Sequence, residues 1–218
     1  MSIPVKICGL STPESVIAAR DGGASHLGFI FFVKSPRHVS PEQARDLVAL
    51  SGDCQTVAVS VDADDAYLDA IVGTMEPDLL QLHGSESLER VAEVKSRYGL
   101  PVMKALAVRG IDDLARAQIY EGHVDLLLLD AKPPKGAELP GGNGVSFDWS
   151  LVENLQSQTP ILLSGGIDQS NVKEAIALVR DAANGLVGLD LSSGVESAPG
   201  VKDMAKIAAL LEASKTGA

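Results

Sequence analysis

The sequence predicts an α/β protein, a (β/α)8 TIM barrel folded as one domain over residues 1–218. Three observations carry that expectation. Eight short apolar runs alternate with longer stretches of helical periodicity. The runs are nearly continuous rather than alternating, as in parallel strands covered on both faces. The 218 residues divide into eight units of about 27 each, compact for this barrel. An open doubly wound sheet is the rival. It normally carries a glycine-rich dinucleotide fingerprint after its first strand, where this chain reads Cys8-Gly9-Leu10-Ser11.

The runs are Ile3 to Ile7, His26 to Phe31, Thr56 to Val61, Leu79 to Leu82, Val102 to Ala107, Val124 to Leu129, Ile161 to Leu163 and Leu186 to Leu189. Helical spacing marks Pro41 to Leu50, Leu88 to Tyr98 and Val172 to Val179. Ser11-Thr12-Pro13-Glu14 and Ser40-Pro41-Glu42 place a capping side chain before a proline at the first helical position. Pro101 and Pro160 stand where apolar runs begin, where a missing N–H costs least. Gly22, Gly99 and Gly122 fall where helices should stop. The one long irregular segment, Ala131 to Ser146, is rich in Pro and Gly and reads as an active-site loop.

Composition excludes several functions. The net charge of −11 opposes sequence-independent nucleic-acid binding, which needs a basic surface. The chain shows no apolar run of bilayer length and no signal-peptide pattern at its start. Cys8 and Cys54 are too few for a disulfide scaffold, so a reducing, cytoplasmic setting is expected. The Cys and His spacing resembles no structural zinc site, and no metal or cofactor is expected.

In this fold the chemistry sits at the C-terminal strand ends. Those ends carry Cys8, Arg37, Asp62, His83, Asp130, Ser164-Gly165-Gly166, and Asp190 with Ser192-Ser193-Gly194. The glycine clusters after strands 7 and 8 lie where the barrel commonly binds phosphate, through backbone N–H groups. Gly141-Gly142-Asn143-Gly144 adds possible donors. Tight turns alone are the plainer reading. Lys6 shares the inward strand face with Cys8, and its ammonium favours the thiolate. Cys54 precedes its strand and reads as structural. Asp130 closes Leu126-Leu127-Leu128-Leu129 and reads as a general acid or base, or as a loop cap. Arg37 is suited to gripping a carboxylate, although surface arginines are common. His83 reads equally as a ligand contact or a structural histidine. Lys104 reads as a Schiff-base former or an inward structural lysine.

Taken together, Lys6-Ile7-Cys8-Gly9, Gly28-Phe29 with Ser35-Pro36-Arg37, Gln81-Leu82-His83-Gly84, the Asp130 region and Ser192-Ser193-Gly194-Val195-Glu196 with Pro199-Gly200 resemble the phosphoribosylanthranilate isomerase family. The motifs run in the same order from first strand to eighth. The resemblance implies an Amadori rearrangement of N-(5-phosphoribosyl)anthranilate to 1-(2-carboxyphenylamino)-1-deoxyribulose 5-phosphate, the third step of tryptophan biosynthesis, without cofactor or metal. It puts the general base on Cys8, the general acid on Asp130 and the anthranilate carboxylate on Arg37. Lys6, His83, Gly142, Gly144, Gly165, Gly166, Asp190, Ser192, Ser193 and Gly194 are the further residues expected around the phosphosugar. Asn143 stands where the family often has threonine. The doubly anionic substrate demands a locally positive mouth from Lys6, Lys34, Arg37 and the helix starts. Rival readings are another phosphosugar barrel enzyme, such as an aldolase or epimerase, a non-catalytic binder, and a dual isomerase that also serves histidine biosynthesis. Monomer and homodimer both stay open.

Overall fold

The computed structural model describes residues 2–131, 141–142, 146–155, 157–180 and 185–215. Among the sequence-predicted loop residues, Lys132, Asn143 and Gly144 lie outside the described residues. Eight parallel strands close into a barrel in sequence order: β1 (Val5–Cys8), β2 (His26–Phe31), β3 (Gln55–Ser60), β4 (Leu79–Leu82), β5 (Val102–Val108), β6 (Leu126–Ala131), β7 (Ile161–Leu163) and β8 (Leu186–Leu191). Closure comes from β8 pairing β1 with Lys6 opposite Asp190. The predicted fold class is what the chain adopts.

The helices start and stop for local reasons. Helix α1 (Pro13–Gly22) is capped by Thr12, whose side chain accepts from Ser15 N, with Pro13 in the first turn. Helix α2 (Pro41–Val48) repeats the device with Ser40 and Gln43. Helix α3 (Asp65–Met75) is capped by Asp64 and α4 (Leu88–Tyr98) by Ser87. The left-handed residue ending α1 is Gly23 (φ 91°), one later than expected, while Gly99 ends α4 at φ 64°. Two short helices follow, α5 (Ile111–Leu114) and α6 (Ala117–Tyr120). The sixth crossover contains a 3-10 helix, Trp149–Asn154. Then come α7 (Val172–Arg180) and α8 (Met204–Lys215).

Strand bounds differ from expectation in an informative way. β1 begins at Val5, with Pro4 contributing only a carbonyl, to Leu189 N at 3.0 Å. β6 and β8 each run two residues further than the apolar pattern, so Asp130 and Asp190 lie within the strands. Between β8 and α8 sits a hairpin that the pattern does not announce, β9 (Glu196–Ala198) with β10 (Val201–Lys202). Its strands are three and two residues long, too short for a periodicity to register.

Alternation along the strands separates two apolar layers. Inward-facing Cys8, Val57, Val59, Leu79, Met103, Ala105, Leu128 and Leu162 fill the barrel. Outward-facing residues such as Ile7, Leu27, Phe29, Leu127, Leu129 and Leu189 pack under the helices. Lys104 shares the outward parity of Val102 and Leu106, not the inward one expected. Its ammonium is buried against Glu86 Oε2 (2.9 Å) and the carbonyls of Leu82, Gly84 and Ala105. It is outside the cleft lining, which removes the Schiff-base reading.

Candidate active site

The C-terminal strand ends surround a cleft of about 750 Å³, counted to its open mouth, within the range of small-ligand sites. Cys8, Arg37, His83, Asp130, Gly142, Gly165, Gly166, Asp190, Ser192, Ser193 and Gly194 all line it. Of the expected residues, Gly144 lies outside the described part. Lys6 is fully buried outside the cleft lining, beneath Cys8. Apolar lining comes from Ile30, Phe32, Val59, Val61 and Ile167.

Cys8 and Lys6 stack on the inward face of β1. A side chain on Gly28, the opposing residue of β2, would stand 3.1 Å from both Cys8 Sγ and Lys6 Nζ. Glycine there makes room for both. Lys6 Nζ also donates to Asp190 Oδ1 at 2.7 Å, and Ser164 Oγ donates to Asp190 Oδ2 at 3.2 Å. Burial pushes the Cys8 thiol up, Lys6 opposes that, and the Asp190 carboxylate adds to it. The net direction is upward. The ammonium favours the thiolate as expected, yet it does not overcome burial. Lys6 itself is raised, because Asp190 and Cys8 together outweigh the penalty of burying the ammonium.

Asp130 ends the inward series Leu126, Leu128, Asp130 on β6. Its Oδ1 accepts from Ala131 N at 2.9 Å. Its Oδ2 lies 3.4 Å from His83 Nε2. Gln81, on the same face of β4, donates from Nε2 to His83 Nδ1 at 2.8 Å. That contact makes Nδ1 the acceptor and leaves the ring proton on Nε2, toward Asp130. Gly141 closes over the pair. A methyl on Gly141 would stand 2.5 Å from Asp130 Oδ2 and 2.7 Å from His83 Nε2. Gly141→Ala is therefore expected to displace the pair and lower kcat/KM by about 10²-fold. Steady-state kinetics checks this, alongside a melting temperature close to wild type.

At the other side of the loop, Gly142 O accepts from Arg37 Nη2 at 3.2 Å. Gly142 has φ 69°, and a side chain there would stand 2.7 Å from Arg37 Nη1. Arg37 is 3% exposed, far from the surface arginine of the plainer reading. Its Nε and Nη2 meet Glu196 Oε1 and Oε2 at 2.7 and 2.8 Å, a bidentate fork. Glu196 appears in the sequence only as part of a motif. The β9–β10 hairpin brings it to Arg37 across 159 positions, which no local pattern reveals.

The turns after β7 and β8 form the far wall. Gly165 and Gly166 are left-handed, at φ 92° and 65°. A side chain on Gly165 would stand 2.8 Å from Ala131 N. Gly194 packs its backbone against the Ile167 carbonyl, so the two turns form one surface. Such a glycine surface lets backbone approach a ligand closely.

The arrangement places a thiol and a carboxyl on one cleft, between a fixed guanidinium and paired glycine turns. A family model described as N-(5′-phosphoribosyl)anthranilate (PRA) isomerase matches residues 5–213. The chain belongs to that family. The N-(5′-phosphoribosyl)anthranilate isomerase of Mesorhizobium japonicum is 55% identical over 208 residues, covering 95% of this chain and 93% of the relative. The phosphoribosylanthranilate isomerase of Thermotoga maritima superposes with a TM-score of 0.85 at 33% identity, over 98% of each chain. A third isomerase, solved in complex with reduced 1-(o-carboxyphenylamino)-1-deoxyribulose 5-phosphate, gives a TM-score of 0.80 at 31% identity, over 98% of each chain. Members of this family are isomerases of tryptophan biosynthesis. Among the described residues, no helix is long and apolar enough to cross a membrane.

Proposed function

We propose that this chain converts N-(5-phosphoribosyl)anthranilate to 1-(2-carboxyphenylamino)-1-deoxyribulose 5-phosphate, with Cys8 as general base and Asp130 as general acid, in the cytoplasm. The observation that carries the reading is the joint opening of Cys8 and Asp130 onto one cleft. Asp130 donates its proton to the ribose ring oxygen. The C1′–O bond breaks and the anthranilate nitrogen forms an iminium. The Cys8 thiolate then takes the proton from C2′, giving an enolamine that tautomerises to the ketone. Arg37 receives the substrate carboxylate, and the turns Gly165-Gly166 and Ser192-Ser193-Gly194 receive the phosphate through backbone N–H groups. Holding both ends orients the sugar between acid and base. Cys8 on β1 favours this single-substrate chemistry over the dual isomerase, which uses two aspartates. Phosphoribosylanthranilate is fluorescent, and its consumption by the purified chain without added metal tests the activity. Unchanged fluorescence overturns the proposal.

The buried thiol sets a pH dependence. Only deprotonated Cys8 accepts the C2′ proton, and burial with Asp190 raises its pKa against the pull of Lys6. In the free enzyme, kcat/KM should therefore keep climbing as pH passes the ordinary cysteine value of about 8.5. A plateau already reached near neutrality contradicts the assignment, because it would require a thiol shifted downward.

A further inference from the structure

The Glu196 carboxylate holds more partners than a hairpin needs. Its Oε1 accepts from Arg37 Nε (2.7 Å) and Lys202 Nζ (2.8 Å). Its Oε2 accepts from Arg37 Nη2 (2.8 Å) and Gly200 N (3.2 Å). Arg37, Glu196 and Lys202 are all buried. Lys202 Nζ also donates to Ser192 O at 2.9 Å, at the start of the turn after β8. Both described partners of Lys202 are acceptors, as an ammonium requires.

Two consequences follow from charge and geometry. A lone Arg37–Glu196 pair would be neutral and would offer little to an anion. Lys202 restores one net positive charge to the cluster, inside a chain whose total is −11. Glu196 also takes Nε and one N–H of Nη2, while Gly142 O meets the same Nη2. The side chain is thereby locked in one orientation, with Nη1 beside Gly142 in the cleft lining. Locking a long, flexible side chain beforehand removes an ordering cost from ligand binding.

We propose that Glu196, charge-balanced by Lys202, is a positioning residue that presents Arg37 Nη1 as the grip for the substrate carboxylate. The proposal rests on the isomerase reading above and deepens it. It assigns recognition of the aromatic carboxylate to a prebuilt Arg–Glu–Lys cluster rather than to Arg37 alone.

The test uses the full chain and two ligands in calorimetric titrations. One is the reduced product, 1-(2-carboxyphenylamino)-1-deoxyribitol 5-phosphate. The other is its 1-phenylamino counterpart, which lacks only the carboxylate. Wild type should prefer the first. In Glu196→Gln the first should weaken about tenfold, as for loss of charge-assisted hydrogen bonds, and the second by less than about twofold. The preference therefore shrinks. Equal weakening of both ligands identifies a merely structural hairpin and overturns the proposal, and so does no weakening at all. If Glu196→Gln does not fold, Glu196→Asp decides. It keeps the charge, loses the two-point fork, and should shrink the preference by a smaller factor. A wild type that turns over phosphoribosylanthranilate yet binds both ligands equally overturns the cluster's role alone. A wild type that neither binds nor turns over overturns the isomerase reading and, with it, this one.

Discussion

Cys8→Ser is expected to lower kcat by about 10⁴-fold, the upper end for one general base, with KM within a factor of about two. The reason lies in what surrounds Sγ. Cys8 is 5% exposed, caps the apolar filling of the barrel, and faces Lys6 beneath it. A serine hydroxyl fits the same space and accepts the same contact from Lys6, so the fold and the substrate grips stay intact. It remains protonated throughout the accessible pH range and cannot take the C2′ proton. The rising limb of kcat/KM with pH should disappear in the same variant, because the group that titrates there is gone. Measuring kcat and KM with the fluorescence assay, and affinity for the reduced product, separates lost chemistry from lost binding. A variant that keeps near-normal kcat removes Cys8 as the base.

How much of this was legible in the sequence depends on the range of each interaction. The barrel was, because eight apolar runs and their capping residues are local signals. The shared face of Lys6 and Cys8 was too, since it follows from a period of two. The net shift of Cys8 was not. It balances an ammonium two residues away against burial and Asp190, and the depth of burial is set by the closed barrel. Asp130 and Asp190 were recognised as strand-end groups, yet placed just beyond their strands. A polar residue after four leucines looks like an exit. In this fold the upper lumen is polar, and the ladder continues through Ala107 opposite Asp130 and Lys6 opposite Asp190. Lys104 was assigned an inward face although Val102 and Leu106 share its parity and pack outward. Glu196 and Lys202 stayed silent because their meaning is their pairing with Arg37, and that pairing spans nearly the whole chain.

Asp130→Asn should lower kcat by about 10³-fold, with affinity for the reduced product nearly unchanged. Asparagine preserves shape, and its amide oxygen can still accept from Ala131 N, which Asp130 Oδ1 now does at 2.9 Å. What disappears is an acidic O–H able to protonate the ring oxygen. Ring opening then has no proton donor at that position, whereas the carboxylate and phosphate grips are untouched. The neighbouring imidazole sharpens the test. His83 Nε2 stands 3.4 Å from Asp130 Oδ2, with its tautomer set by Gln81 Nε2 at 2.8 Å from Nδ1. If His83 serves the reaction by orienting Asp130, His83→Asn costs activity in the wild-type background and almost nothing further once Asp130 is Asn. Neighbours in one network are non-additive in this way, whereas independent groups add. Full additivity would place His83 on the substrate instead. Near-normal kcat in Asp130→Asn would remove the acid from Asp130 altogether and send the search back to the groups on the same rim.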